Sequence, residues 1–261
     1  MTNGSLSNLL GSFIWYDQMS NDMSGAEAFY TKVVGWTPGP NTMNAQRYTL
    51  LQAGGTAIGG LMPIPEEAAK MGVPPCWTGY VAVDDVKAYA DKVKAAGGTI
   101  MRPPADIPNI GTFSVVLDPT GAGFILFRGT SPEAPAHDAS APGHVGWREL
   151  HAGDGDKAFD FYSGLFGWTK AEDMDMGAMG KYRIFRTRSG QGGGMMTKTA
   201  QAPMPFWLFY FNVEAIDAAV ERVKSGGGRV AHGPMEVPGG SWAAQALDPQ
   251  GAMFGLVAPK R

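Results

Sequence analysis

Four segments carry apolar residues at the i, i+3, i+4, i+7 spacing of a helix that buries one face: Ala26/Phe29/Tyr30/Val33, Val86/Tyr89/Ala90/Val93, Ala158/Phe161/Tyr162/Leu165 and Ile216/Ala219/Val220/Val223. Ser24 and Glu27 form a capping-box pair at the start of the first. Gly97-Gly98 and Gly226-Gly227-Gly228 stand where a left-handed residue closes the second and fourth. One strand-like run precedes each helix, such as Ser12 to Met19 or Trp77 to Val83, and about three follow it. Asp118-Pro119-Thr120-Gly121 and Asp248-Pro249-Gln250-Gly251 put proline second and glycine fourth, which suits a type I turn between antiparallel strands. The pattern predicts an α+β chain of four β-α-β-β-β modules.

The modules form two tandem copies. A shift of 130 pairs Trp77 with Trp207, Tyr80 with Tyr210, and Leu117-Asp118-Pro119 with Leu247-Asp248-Pro249; upstream, a shift of 132 pairs Trp15 with Trp147, Asp22 with Asp154 and Gly35-Trp36 with Gly167-Trp168. The expected first domain runs over 8–130, with modules at about 11–65 and 75–128. The second runs over 144–261, with modules at about 144–198 and 205–258, and a proline- and alanine-rich linker at 131–143 joins the two.

Composition narrows the function classes. With 44% hydrophobic residues over 261 positions the chain has apolar material for real cores. A net charge of −3 without a basic cluster argues against nucleic acid. No apolar run nears the roughly 20 residues of a membrane span, and the polar stretch from Met1 to Ser12 is unlike a signal peptide. The single Cys76 allows no internal disulfide. The expectation is a cytoplasmic protein, monomer or homodimer, whose partner is a small molecule. The paired glycines lack the Gly-x-Gly-x-x-Gly arrangement of a dinucleotide site and suit hairpins better.

The run Asp154-x-x-x-Ala158-x-x-Phe161-Tyr162-x-x-Leu165-Phe166-Gly167-Trp168, the Val83-Asp84-Asp85-Val86 junction and the two Asp-Pro-x-Gly-Ala turns resemble the vicinal-oxygen-chelate superfamily of glyoxalase, bleomycin-resistance and dioxygenase-like proteins. The resemblance implies that two modules build an eight-stranded U-shaped sheet whose concave face holds a small ligand and often a divalent metal. It also implies one metal ligand on each module's first strand, about seven residues before the helix-opening Asp, and a Glu on its last. Those positions carry Trp15, Trp147, Ile125 and Gly255. The usual ligand positions are thus without ligands, and no cofactor is expected, although a divalent metal on other residues is possible.

Strand alternation puts Trp15 on one face with Asp17 and Met19, and Trp147 on one face with Glu149 and His151. A carboxylate beside indole can orient a ligand or act as a general base once burial disfavours its charged form. Asp17, Glu149 and His151 are the candidate catalytic residues. Trp15, Tyr48, Trp77, Trp147, Tyr182 and Trp207 are the candidate ligand-binding wall for an apolar or aromatic guest. The alternative expectation is a lyase, isomerase or dioxygenase that uses Asp17 and Glu149 as acid–base groups or unconventional metal ligands.

Overall fold

The computed structural model describes residues 6–40, 47–131, 138 and 140–261; most of the expected linker lies outside them. The first module holds β1 (Phe13–Ser20), α1 (Met23–Val34), β2 (Thr37–Pro38), β3 (Thr49–Ala53) and β4 (Thr56–Pro63). A short helix, α2 (Glu66–Lys70), that periodicity did not predict leads to the second module: β5 (Cys76–Ala82), α3 (Val86–Ala95), β6 (Thr99–Ile107), β7 (Gly111–Leu117) and β8 (Gly123–Gly129). The third has β9 (Val145–Ala152), α4 (Gly155–Phe166), β10 (Thr169–Asp175), β11 (Lys181–Arg186) and β12 (Gly192–Thr197). The fourth has β13 (Phe206–Asn212), α5 (Ile216–Ser225), β14 (Arg229–Val237), β15 (Ser241–Leu247) and β16 (Met253–Ala258). One strand, one helix and three strands therefore recur four times, in two eight-stranded sheets ordered β2-β3-β4-β1-β5-β8-β7-β6 and β10-β11-β12-β9-β13-β16-β15-β14.

Three of the four module helices start by a simpler rule than the capping box, and the fourth, α5, has Ala215 and no side-chain cap. Asp22 caps α1 by accepting from the Gly25 amide, Asp85 caps α3 from Ala88, and Asp154 caps α4 from Asp156 and Lys157. Ser24 lies inside α1 and its hydroxyl accepts from Arg47 instead. A carboxylate two residues upstream reaches the free amides first and adds charge at the positive end of the helix, so it displaces the serine.

By internal contacts the chain divides into two compact units, with divisions inside β1, β5, β9 and β13. One unit joins the second and third modules, and the other joins the first and fourth. Each has an aromatic core of its own. In the unit of modules one and four, Gly35 closes α1 at φ +89° and the next residue, Trp36, turns inward against Trp77 and Phe211. In the unit of modules two and three, Gly167 does the same for Trp168, which stacks on Phe185 at 4.3 Å. Rings of this size each remove about 200 Å² from water, which at about 25 cal/mol per Å² contributes roughly 5 kcal/mol before entropy is counted.

A hydrogen-bonded chain runs through each core. Trp77 Nε1 donates to Tyr30 Oη at 2.9 Å and Tyr30 donates to Asp248 Oδ2 at 3.1 Å; Trp207 donates to Tyr162 at 3.0 Å and Tyr162 to Asp118 at 3.2 Å. Burial, and then the adjacent aspartate, hold both phenols well above 10, so each keeps its proton and the donor direction is fixed. The Asp-Pro-x-Gly turn of one module is in this way tied to the helix of another.

Candidate functional site

Along β9 the residues Arg148, Leu150 and Ala152 are buried, whereas Trp147, Glu149 and His151 alternate with them on the other face. The same alternation in β1 sets Trp15, Asp17 and Met19 together. The parallel pairings then fix what stands beside each carboxylate. Asp17 is opposite Gly60 on β4, and Glu149 is opposite Gly194 on β12.

Those glycines allow a tyrosine to cross a strand. Tyr182 on β11 is opposite Met196, diagonal to Gly194. A Cβ on Gly194 would lie 2.0 Å from the Tyr182 hydroxyl, so the ring occupies the space that any side chain there would need. Lying across β12, Tyr182 donates to Glu149 Oε2 at 2.8 Å. The first module repeats the device: a Cβ on Gly60 would lie 1.9 Å from the Tyr48 hydroxyl, and Tyr48 donates to Asp17 Oδ1 at 2.7 Å. Asp17, Glu149 and Tyr48 are all buried. In the fourth module, Tyr210 leans over Gly255 and accepts from Gln245 Nε2 at 2.7 Å.

The third module has one further group. His151 Nε2 lies 2.7 Å from Glu149 Oε1, and its ring stacks on Phe206 at 4.6 Å with an interplanar angle of 8°. Glu149 thus meets a phenol on one oxygen and an imidazole on the other. Met19 stands in the corresponding place of the first module.

Two expected wall residues stand elsewhere. Trp77 and Trp207 face the helices, hydrogen-bonded to Tyr30 and Tyr162 and only 6% and 5% exposed. They lie three residues before Tyr80 and Tyr210, and an odd separation on a strand reverses the face. The repeated Trp therefore marks the core. Trp15 and Trp147 are half-buried, on the faces that hold Asp17 and Glu149.

The register shows a second constant offset on the first strands. Asp17, Tyr80, Glu149 and Tyr210 each face the last strand of their own module, opposite Gly60, Ile125, Gly194 and Gly255. Each lies five residues before its helix cap. Counting seven reaches Trp15 and Trp147, two residues earlier on the same faces as Asp17 and Glu149. The missed signals were this constant offset and the repeated pairs Gly59-Gly60 and Gly193-Gly194. Among the described residues no three His, Cys, Asp or Glu side chains come together as a metal cage requires, and no helix is long and apolar enough to cross a membrane.

A surface pocket of about 210 Å³ at the start of α4 is lined by Asp156, Lys181 and Arg183, whose charges are already paired. Arg183 also binds Asp173 through Nε at 2.7 Å, and chiefly through that hydrogen bond lowers the Asp173 carboxyl from 3.8 to about 2. A depressed folded-state value gives stability above the unfolded pKa, lost as pH falls through the folded one. In Arg183→Met, the Asp173 midpoint should rise toward 3.8 by NMR titration. The stability difference from wild type, full above about pH 4, should close as pH falls toward 2. An unmoved midpoint would discard the pair as its cause.

The model of the Glyoxalase/Bleomycin resistance protein/Dioxygenase superfamily matches residues 12–126 and 142–256. The chain is 34% identical over 251 residues to "Putative glyoxylase CFP32" of Mycobacterium tuberculosis, covering 94% of each. It is 31% identical over 258 residues to the anthracycline biosynthesis protein DnrV of Streptomyces peucetius, covering 95% of this chain and 93% of that protein. Among solved structures, the Mn(II)-bound glyoxalase of Novosphingobium aromaticivorans aligns with a TM-score of 0.67 at 15% identity, covering 96% of this chain and 82% of that one, which is a likeness of fold.

Proposed function

The chain belongs to the Glyoxalase/Bleomycin resistance protein/Dioxygenase superfamily, and on that premise we propose that it binds a small apolar or aromatic molecule on its sheet faces without the divalent metal common among such proteins. The observation that carries this reading is the tyrosine laid over a glycine in the first and third modules. A metal of the Mn, Fe, Ni or Zn type needs several His or carboxylate donors converging at about 2.0–2.2 Å. Beside Asp17 and Glu149, the adjoining strand offers a glycine instead of a second donor, and a phenol fills the space above it. The donor set does not fit such an ion. It fits an organic guest: a carboxylate and phenol held in fixed orientation supply hydrogen-bonding groups, and half-buried Trp15 and Trp147 supply apolar surface. The likeness to a protein named for anthracycline biosynthesis supports a flat, fused-ring compound as the kind of guest.

The test uses two measurements on purified protein. After incubation with manganese or nickel and gel filtration, elemental analysis should find far less than one ion per chain. Titration with anthraquinone-2-sulfonate should quench tryptophan fluorescence saturably. One retained ion per domain would overturn metal independence, and fluorescence unmoved up to the solubility limit would overturn the aromatic guest.

A further inference from the structure

We propose that His151 is a proton acceptor, and that the third module's site takes up a phenol or enol as its anion; the proposal rests on the small-molecule reading above. Tyr182 keeps its hydroxyl hydrogen on Glu149 Oε2, so an ionised Glu149 can only accept at Oε1. The 2.7 Å contact there is then Nε2–H donating, which leaves the lone pair of His151 on Nδ1. Nδ1 has no partner among the described residues, yet it is not one of their buried unpartnered polar atoms, of which Gln18 Oε1 alone is found. It therefore reaches solvent, although the side chain as a whole is only 13% exposed. Phe206 stacked on the ring holds it in plane, and Tyr182 and His151 together hold Glu149.

Such a pair is suited to moving a proton. When a ligand O–H meets Nδ1, the O–H bond breaks with its electron pair left on oxygen, and the proton forms a new bond to Nδ1. The imidazolium is then held against the Glu149 carboxylate, and the ligand remains as phenolate or enolate. The named neighbours supply the counter-charge: Glu149 comes from β9 and Tyr182 from β11, while Met196 on β12 and Phe206 on β13 are uncharged. The first module lacks the device, since Met19 and Cys76 stand at the positions of His151 and Phe206. The first module therefore adds no second site of this kind.

The probe is 4-nitrophenol, whose neutral and ionised forms absorb at different wavelengths. Bound probe is counted by equilibrium dialysis and its ionised share read by difference absorbance, about one pH unit below the probe's own pKa. Wild type should bind with a phenolate-to-phenol ratio about tenfold above that of the free probe, equivalent to one pKa unit, so that about half of the probe bound at the site is ionised. His151→Gln should still bind, with the ratio back at the free value. Glu149→Gln should lower the ratio by removing the counter-charge. Bound probe at the free ratio in wild type, or an unchanged ratio in His151→Gln of unaltered melting temperature, would overturn the proposal and leave the binding reading standing. No bound probe in wild type would overturn both.

Discussion

Asp118→Ala is expected to destabilise the protein by about 4 kcal/mol, seen as a lower urea midpoint at unchanged slope. The carboxylate is 3% exposed. Its Oδ1 accepts from the Thr120 amide and hydroxyl and from the Gly121 and Ala122 amides, and its Oδ2 from Tyr162. Thr120 and Gly121 are half-buried, so water can replace the lost acceptor there. Ala122 and Tyr162 are fully buried, and each donor left unmatched costs about 1–3 kcal/mol. Removing the side chain also frees the turn that joins β7 to β8. Asp118→Asn should cost about 1–2 kcal/mol, because its carbonyl still serves the turn while its amide leaves the Tyr162 hydroxyl hydrogen unmatched. Tyr162→Phe strands Trp207 Nε1 instead, so a double-mutant cycle between Asp118 and Tyr162 should show coupling. A change under about 1 kcal/mol in Asp118→Ala would mean that water fills the turn and that the core chain contributes little.

The sites of these side chains were unequally legible in the sequence. Helices were readable because their buried faces need a fixed period, and the duplicated Gly-Trp motif after α1 and α4 announced a repeated core. Strand faces were harder. Trp15 and Trp77 look alike as aromatic residues on a module's first strand, yet one lies on the face of Asp17 and the other meets a helix tyrosine. That difference is set by where each strand starts relative to its cap, a single-residue matter that composition cannot reveal. Carboxylates at positions 17 and 149 could be picked out by alternation alone. Their tyrosines could not be joined to them, because the contact runs across an intervening strand and depends on a glycine that read only as a turn residue. The pairing of modules one with four and two with three was equally hidden, since periodicity shows that a helix has a buried face and not which module covers it.

Adjacent glycines on β12 should separate stability from binding. A Cβ on Gly193 would meet the Arg148 carbonyl oxygen at 2.5 Å and the end of the Phe185 ring at 2.3 Å. The first is backbone of the neighbouring strand and cannot move aside alone, so Gly193→Ala should cost about 3 kcal/mol, near the top of the usual overpacking range. The nearest atoms to the Cβ of Gly194→Ala belong to the outer part of the Tyr182 ring, a side chain that can swing away. That variant loses one hydrogen bond to a carboxylate and should cost about 1–2 kcal/mol. Its effect belongs to the site: with Tyr182 displaced, Glu149 Oε2 loses its donor and the ring vacates the strand, so affinity for anthraquinone-2-sulfonate should fall at least about tenfold, or 1.4 kcal/mol. Gly59 and Gly60 repeat the contrast on β4, against the Tyr16 carbonyl oxygen at 2.3 Å and the Tyr48 hydroxyl at 1.9 Å. Melting curves and fluorescence titrations on the four alanine variants should therefore sort them crosswise, with Gly59 and Gly193 lowering stability and Gly60 and Gly194 lowering affinity. If Gly194→Ala bound the probe as wild type does, the tyrosine and carboxylate would have no part in holding the guest.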